Sequence, residues 1–78
     1  MPAPLVFTDY LRAQAHRSDD VGALARAFAE EVRARRLGRM YRRPANLAQP
    51  LRTLRFSPRS LDALDAVAAE WEAARVAE

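Results

Sequence analysis

Apolar residues recur along this chain at the spacing of α-helices, and no segment shows the two-residue alternation of a β-strand. The most regular segment covers residues 19–37. Its apolar positions fall on one continuous helical face, at Val21, Leu24, Ala25, Phe28 and Val32. Ser18, Asp19 and Asp20 are typical of a helix start, and Gly38 is typical of the residue just after a helix end. We therefore predict a helix over 19–37. Its outer face carries two pairs at i,i+4 ion-pair spacing, Arg26 with Glu30 and Glu31 with Arg35.

Two further helices are predicted near the ends of the chain. Thr8 suits the N-cap of a short helix over 8–16, which must dock on the rest of the fold because isolated helices of this length are marginal. Ser57 as N-cap and Pro58 at the first helical position indicate a last helix over 58–76. Its apolar face comprises Leu61, Leu64, Val67, Ala68 and Trp71. Because Trp71 is in register with this face, we interpret it as a core residue rather than as an exposed stacking residue.

The segment between these helices contains one more helical pattern. Three leucines at i, i+4 and i+7 predict a short helix over 45–55; they are Leu47, Leu51 and Leu54. Pro50 must either kink this helix or start a second piece, because proline lacks a backbone N–H. In the connection before it, Met40 and Tyr41 are expected to pack back onto the core.

These patterns predict an all-α protein, with one domain over 1–78 and a compact bundle of four to five short helices. The chain has no cysteine, so neither disulfides nor a thiolate metal site stabilises it, and an apolar core must do so. No apolar run approaches the roughly 18–20 residues of a membrane span, and the N-terminal segment lacks the basic residues of a signal peptide. We expect a cytoplasmic protein that does not enter membranes. The sequence leaves the oligomeric state open.

Charge is distributed unevenly along the chain. The net charge is +3, and all 13 cations are arginines. GC-rich codon usage accounts for arginine in place of lysine, but it does not account for the positions of the acids. Residues 1–31 hold three arginines and five acids, residues 32–61 hold nine arginines and no acid, and residues 62–78 hold one arginine and five acids. The chain therefore has a basic middle between two acidic ends.

The acid-free segment, defined here as residues 32–61, contains the candidate partner surface within its part 33–59. The candidate residues are Arg36, Arg39, Tyr41, Arg42, Arg43, Arg52, Arg55 and Arg59. Guanidinium groups bind phosphate oxygens through paired donors, so this segment suits a nucleic-acid backbone. Three alternatives stay open: the arginines pair with acids of the chain ends, solvate a face, or dock an acidic protein. Tyr41 among the arginines fits either stacking on a base or packing at a helix junction.

Residues for catalysis or cofactor binding are scarce. His16, the single histidine, is interpreted as a surface or capping group. The serines occupy positions that suit helix caps, at Ser18, Ser57 and Ser60. Two glycines do not build a phosphate-cradling loop, and capping explains the Asp19–Asp20 pair better than metal binding does. We expect no enzymatic activity, cofactor, metal or small-molecule substrate.

Three short motifs near the two ends of the chain have the pattern of a known family. They are Phe7-Thr8-Asp9-Tyr10-Leu11-Arg12-Ala13-Gln14, Arg17-Ser18-Asp19-Asp20-Val21-Gly22-Ala23-Leu24-Ala25 and Leu64-Asp65-Ala66-Val67-Ala68-Ala69-Glu70-Trp71-Glu72. Together they resemble the YozE-like family of small bacterial proteins. The chain departs from that family after the second helix, where an acid and a Phe-Pro are common and Arg35-Arg36-Leu37-Gly38 stands here.

The resemblance implies a SAM-like helical bundle in a bacterial protein and implies no activity, because the family is uncharacterised. SAM-like folds serve protein binding and nucleic-acid binding alike. The sequence thus predicts a non-enzymatic binding module. A protein–protein interaction adaptor with an unknown partner is the first hypothesis, and DNA binding through the arginine-rich segment 33–59 is the alternative.

Overall fold

Four α-helices make up most of the computed structural model, which describes residues 4–76. They are α1 (Phe7–Ala13), α2 (Asp20–Arg33), α3 (Pro44–Thr53) and α4 (Pro58–Val76), and the described residues contain no strand. The Cα radius of gyration is 11.6 Å, close to the roughly 11.5 Å expected of a compact domain of this length. The all-α class is confirmed, with four helices. Within residues 4–76, no helix combines the length and the apolar character needed to cross a bilayer.

The core lies mainly between α2 and α4. The predicted apolar face of α2 is buried except at its end, where Val32 is half-buried. On α4, Trp71 is only 1% exposed, and its indole N–H donates to the Pro4 carbonyl at 2.7 Å. The Phe7 ring of α1 meets the indole edge-on at 5.5 Å between centroids, a contact typically worth about 1 kcal/mol beyond area burial. The interpretation of Trp71 as a core residue is confirmed.

The start of α1 differs from the prediction, because Thr8 lies inside the helix rather than at its cap. No side chain caps α1. Instead, the Phe7 and Thr8 amides donate to the carbonyls of Arg42 and Tyr41 at 3.0 and 3.3 Å. The buried Thr8 hydroxyl oxygen accepts from the Tyr41 amide at 3.1 Å. The cap prediction was wrong because a distant loop satisfies the amides that a local cap would serve.

The end of α2 also differs from the prediction. The helix ends at Arg33, four residues early, and Arg35 rather than Gly38 takes the left-handed conformation, with φ of 63°. The Arg35 amide and the next one donate back to helix carbonyls at 3.0 and 2.9 Å, which is a Schellman motif. The prediction placed this position at the glycine because glycine adopts it without steric cost. Beyond the motif, Leu37 turns inward and is buried.

Pro50 does not start a second piece, because α3 is one helix from Pro44 to Thr53 with Pro50 inside it. Proline at this position removes one helical hydrogen bond, and the full burial of Leu47 and Leu51 offsets that loss. A second Schellman motif closes α3. Arg55 is left-handed with φ of 62°, and the Phe56 amide donates to the Leu51 carbonyl at 3.0 Å.

Two of the predicted helix starts are confirmed at the level of single atoms. An Asp19 carboxylate oxygen accepts from the Gly22 amide at 3.0 Å and caps α2. The Ser57 hydroxyl accepts from the Ser60 amide at 3.1 Å, with Pro58 as the first residue of α4. Both caps satisfy amides that the first helical turn leaves without a partner.

The connection between α1 and α2 is tied to α4 by Arg17. Its guanidinium lies 2.6 Å from Asp19 and 2.7 Å from Glu70, and these hydrogen bonds raise the pKa of Arg17 above its usual range. The α2 backbone approaches this connection closely, since a Cβ on Gly22 would lie 1.9 Å from the Arg17 carbonyl oxygen. Only glycine fits that contact.

Neither of the two pairs at i,i+4 spacing on α2 forms an ion pair within residues 4–76. Arg26 instead donates to the carbonyls of Ala15 and Arg17 at 2.7 and 2.8 Å. Glu30 pairs with Arg33 at 2.7 Å. The second pair fails because its arginine, Arg35, lies beyond the end of the helix.

Candidate nucleic-acid interface

The loop between α2 and α3, residues 34–43, carries several candidate arginines on a well-anchored backbone. Leu37 inserts into the core at one end of the loop, and the carbonyls of Tyr41 and Arg42 accept the first amides of α1 at the other. Met40 is 59% exposed, so the prediction that it packs on the core was wrong. The loop therefore has a defined path although most of its side chains face solvent.

Tyr41 is a structural residue of this loop. Its ring is half-buried and meets the Phe28 ring edge-on, with 6.3 Å between centroids. Its hydroxyl oxygen accepts from the Gly38 amide at 3.1 Å. Of the two alternatives for this aromatic residue, packing at a helix junction is the one observed.

Three arginines of the acid-free segment are neutralised within the fold. Arg33 pairs with Glu30, and Arg59 pairs with Asp20 at 2.9 Å. Arg36 donates two hydrogen bonds to Glu31, and this contact lowers the pKa of the Glu31 carboxyl and raises that of Arg36. The candidates Arg36 and Arg59 are thus already bound to acids of neighbouring segments.

The other six arginines of this segment form no ion pair with any acid of residues 4–76. We call them the unpaired arginines: Arg35, Arg39, Arg42, Arg43, Arg52 and Arg55. All six are exposed. Pairing with acids of the chain ends therefore neutralises three of the nine arginines of the acid-free segment. The positive charge of the other six is available to a partner.

The exposed face of α3 continues this surface without an acid. It consists of Ala45, Asn46, Gln49, Arg52 and Thr53. The Thr53 hydroxyl donates to the Gln49 carbonyl at 3.0 Å, while amide and guanidinium groups on such a face can bind phosphates or base edges. In contrast, the exposed positions of α2 and α4 include carboxylates. α3 is thus the one helix of the described region whose outer face suits an anionic partner.

Arg75, near the end of α4, joins two of the candidate residues although it lies outside the acid-free segment. With Arg42 and Arg43 it lines a shallow cavity of about 120 Å³, together with Leu5 and Trp71. Its guanidinium carbon lies 4.5 Å from the centroid of the Trp71 ring. Arg75 is not among the residues predicted from the sequence, because it lies outside the acid-free segment. Its i,i+4 spacing from Trp71 was the available signal.

A second cavity, formed by the start of α2 and by α4, is lined by several acids. This cavity of about 420 Å³ is lined by Arg17, Asp19, Asp20, Val21, Asp62, Ala63, Ala66 and Glu70. Arg17 and Arg59 hold three of these carboxylates in ion pairs. The step from Ala66 to Arg75 is about 14 Å along a helix axis. The cavity lined by acids and the cavity lined by arginines therefore lie at different positions along α4.

The remaining candidates for chemistry have structural explanations. The His16 ring nitrogen Nδ1 lies 2.9 Å from the Ala13 carbonyl oxygen, at the end of α1, and the side chain is exposed. Residues 4–76 contain no group of three or more His, Cys, Asp or Glu side chains arranged to hold a metal ion. Asp19 caps α2, as described above.

Comparisons with models of protein families, with curated proteins and with solved structures find no match to this chain. The resemblance to the YozE-like family stays a prediction from short motifs. A functional hypothesis must therefore be argued from the chemistry of the surface itself.

Proposed function

We propose that the protein binds nucleic acid through its phosphate backbone, using the unpaired arginines. The observation that carries this proposal is that six exposed arginines have no carboxylate partner within residues 4–76. Arginine binds phosphate oxygens through two parallel N–H donors. Release of counterions from the phosphates adds a favourable term for each contact formed. The acid-free outer face of α3 supports the same partner.

The fold, the family and the cellular location predicted from the sequence are also part of this proposal. We propose a SAM-like arrangement of the four helices, related to the YozE-like family, in a bacterial cytoplasmic protein. The three sequence motifs support the family, and the number and order of the helices are compatible with it. No enzymatic step is part of the proposal.

A protein–protein adaptor is the alternative function. Stable protein interfaces usually have an apolar centre with buried aromatic or aliphatic anchors. The large apolar side chains that stand well exposed within residues 4–76 are Leu5, Met40 and Val76, and they belong to three different segments of the chain. The arginines give more support to an anionic partner than these side chains give to an apolar one.

The test is a titration of fluorescently labelled single-stranded and double-stranded oligonucleotides at a series of salt concentrations, followed by anisotropy. If all six unpaired arginines contact phosphates of a duplex, a plot of log affinity against log salt has a slope of about −5, because each contact contributes about −0.9. The double variant Arg39→Gln/Arg43→Gln should reduce the magnitude of the slope by about 2.

The matched control is Arg33→Gln/Arg59→Gln, which removes the same charge from arginines that are already paired. It should leave most of the slope in place. Absence of oligonucleotide binding at low salt would overturn the proposal. If both double variants lost the same amount of the salt slope, net charge alone would explain the binding. That result would also overturn the proposal. Capture of one stoichiometric protein that survives nuclease treatment, without oligonucleotide binding, would establish the adaptor instead.

A further inference from the structure

The cavity lined by Arg42, Arg43 and Arg75 brings three arginines together beside the buried Trp71. The floor is formed by Trp71, and Leu5, which is 83% exposed, lies at the rim. The arginines come from two segments that are distant in sequence. Their convergence is therefore a product of the fold and not of the local run of arginines in the chain.

Each cation has its own anchor. The Arg42 carbonyl accepts the Phe7 amide at 3.0 Å. Arg43 is the N-cap residue of α3, with an extended backbone and no side-chain capping bond. The Arg75 guanidinium rests on the indole ring at 4.5 Å, a cation–π contact that restricts its rotamers. The backbones of Arg42 and Arg43 and the side chain of Arg75 are therefore held in defined positions.

The charge at this cavity is poorly compensated. Glu72, 3.3 Å from Arg75, is the one acid paired with any of the three arginines within residues 4–76. Arg43 also places the positive end of the α3 dipole beside the cavity, and the first turn of α3 has no acid. Like charges held together repel one another, and an anion with several acceptor oxygens relieves that repulsion.

We propose that this cavity binds one phosphate group of a nucleic acid, with Arg42, Arg43 and Arg75 as its hydrogen-bond donors. The choice of nucleic acid as the source of the phosphate rests on the proposed function. The phosphate oxygens lie against the guanidinium groups, and the sugar lies against the apolar rim. An internal backbone phosphate and a terminal phosphate have this chemistry in common.

The protein contains its own reporter for the test, because Trp71 is the single tryptophan and forms the floor of the cavity. The intact protein is titrated with inorganic phosphate against sodium chloride of matched ionic strength, while the tryptophan emission is recorded. A phosphate ion that draws Arg75 away from the indole ring should change the emission in a saturable manner, whereas chloride should not.

Arg43→Gln should raise the half-saturating phosphate concentration about tenfold, the equivalent of one charge-assisted hydrogen bond. This variant removes no capping bond from α3, and Arg42→Gln is a second test of the same site. Arg33→Gln, whose arginine pairs with Glu30 away from the cavity, is the matched control and should titrate as the unchanged protein does. Thermal unfolding checks that each variant is folded.

Oligonucleotides with a 5′-phosphate or a 5′-hydroxyl then compete with inorganic phosphate. Stronger competition by the phosphorylated form assigns the cavity to a chain end, and equal competition assigns it to backbone phosphates. Identical responses to phosphate and chloride, or an unchanged titration of Arg43→Gln, would overturn the site even where oligonucleotide binding persists. A saturable response to phosphate without oligonucleotide binding would overturn the nucleic-acid source and the proposed function together.

Discussion

Substitution by alanine is expected to affect stability differently at the two glycines of this chain, and the larger effect is expected at Gly22. Gly22 lies in the first turn of α2, where its α-carbon faces the carbonyl of Arg17. A Cβ at this position would lie 1.9 Å from the carbonyl oxygen and 2.6 Å from the carbonyl carbon. Both atoms belong to the backbone, so no side-chain rotation relieves the clash. Gly22→Ala must therefore move the connection between α1 and α2.

The expected loss of stability is about 2 kcal/mol. Alanine in place of glycine within a helix contributes about 0.5–1 kcal/mol in favour of the variant. Overpacking typically costs about 1–3 kcal/mol, and here the displaced backbone also carries the hydrogen bond from Arg26 at 2.8 Å and the contact of Arg17 with Glu70. Hydrogen bonds to charged groups are worth about 1.5–3 kcal/mol each when fully lost, and here they are only weakened. The sum of the clash and the weakened contacts exceeds the helical gain.

Urea unfolding followed by circular dichroism measures the difference as a shift of the midpoint at constant m-value. Gly38→Ala is the matched control. Gly38 has no positive φ, and its added Cβ would meet the Tyr41 hydroxyl oxygen at an ordinary 3.6 Å. We expect this control to be neutral or more stable by up to about 1 kcal/mol. A Gly22→Ala protein as stable as the parent would refute the close approach of α2 to the connection.

Further predictions concern the two helix ends, one buried hydroxyl and the acid limb of stability. Arg35→Gly and Arg55→Gly should each raise the free energy of unfolding by about 0.5–1 kcal/mol, because left-handed non-glycine residues carry a steric cost of about 1–2 kcal/mol; lower stability in urea would contradict these turns. Thr8→Val should lower the melting temperature through a loss of about 1–2 kcal/mol, since a loop amide loses its buried acceptor; an unchanged melting curve would count against this bond. Hydrogen bonds from arginine lower the pKa values of Asp19 and Glu31 in the folded protein. Their stabilising contribution is therefore complete above their ordinary pKa values of 3.8 and 4.5 and is lost as the pH falls through the lower folded values. An Asp19→Asn/Glu31→Gln protein should accordingly show a shallower loss of stability in acid, and an identical acid limb would contradict the two ion pairs.

The helices α2 and α4 were predictable because each has apolar residues at helical spacing and a local start signal. The Ser57–Pro58 start of α4 and the Asp19 cap of α2 depend only on adjacent residues, and both were predicted correctly. The apolar face of α2 required no knowledge of its partner either, because burial follows from its 3.6-residue spacing. These features are local, and local signals can be read directly from a sequence.

The helix ends and the first cap were missed because they depend on contacts distant in sequence or on residues with weak preferences. The Thr8 hydroxyl oxygen accepts a hydrogen bond from the amide of Tyr41, 33 residues away. No local sequence pattern indicates that bond. Arg35 and Arg55 adopt a conformation that sequence reasoning assigns to glycine. In both Schellman motifs an apolar residue near the turn, Leu37 or Phe56, packs on the core. Burial of that residue helps to hold the unfavourable turn.

In the candidate site, the number of arginines is less informative than the presence or absence of a carboxylate partner for each one. Of the nine arginines of the acid-free segment, three have a carboxylate partner in the fold and six have none among residues 4–76. The partners of Arg36 and Arg59 come from α2, outside the acid-free segment. Conversely, Arg75 comes from the acidic end of the chain and completes the cavity beside Trp71. Charge along the sequence therefore indicates where to search, whereas the fold decides which guanidinium groups can bind a phosphate. If the proposal is correct, Arg75→Gln should also weaken oligonucleotide binding in the anisotropy titration, although Arg75 lies outside the acid-free segment.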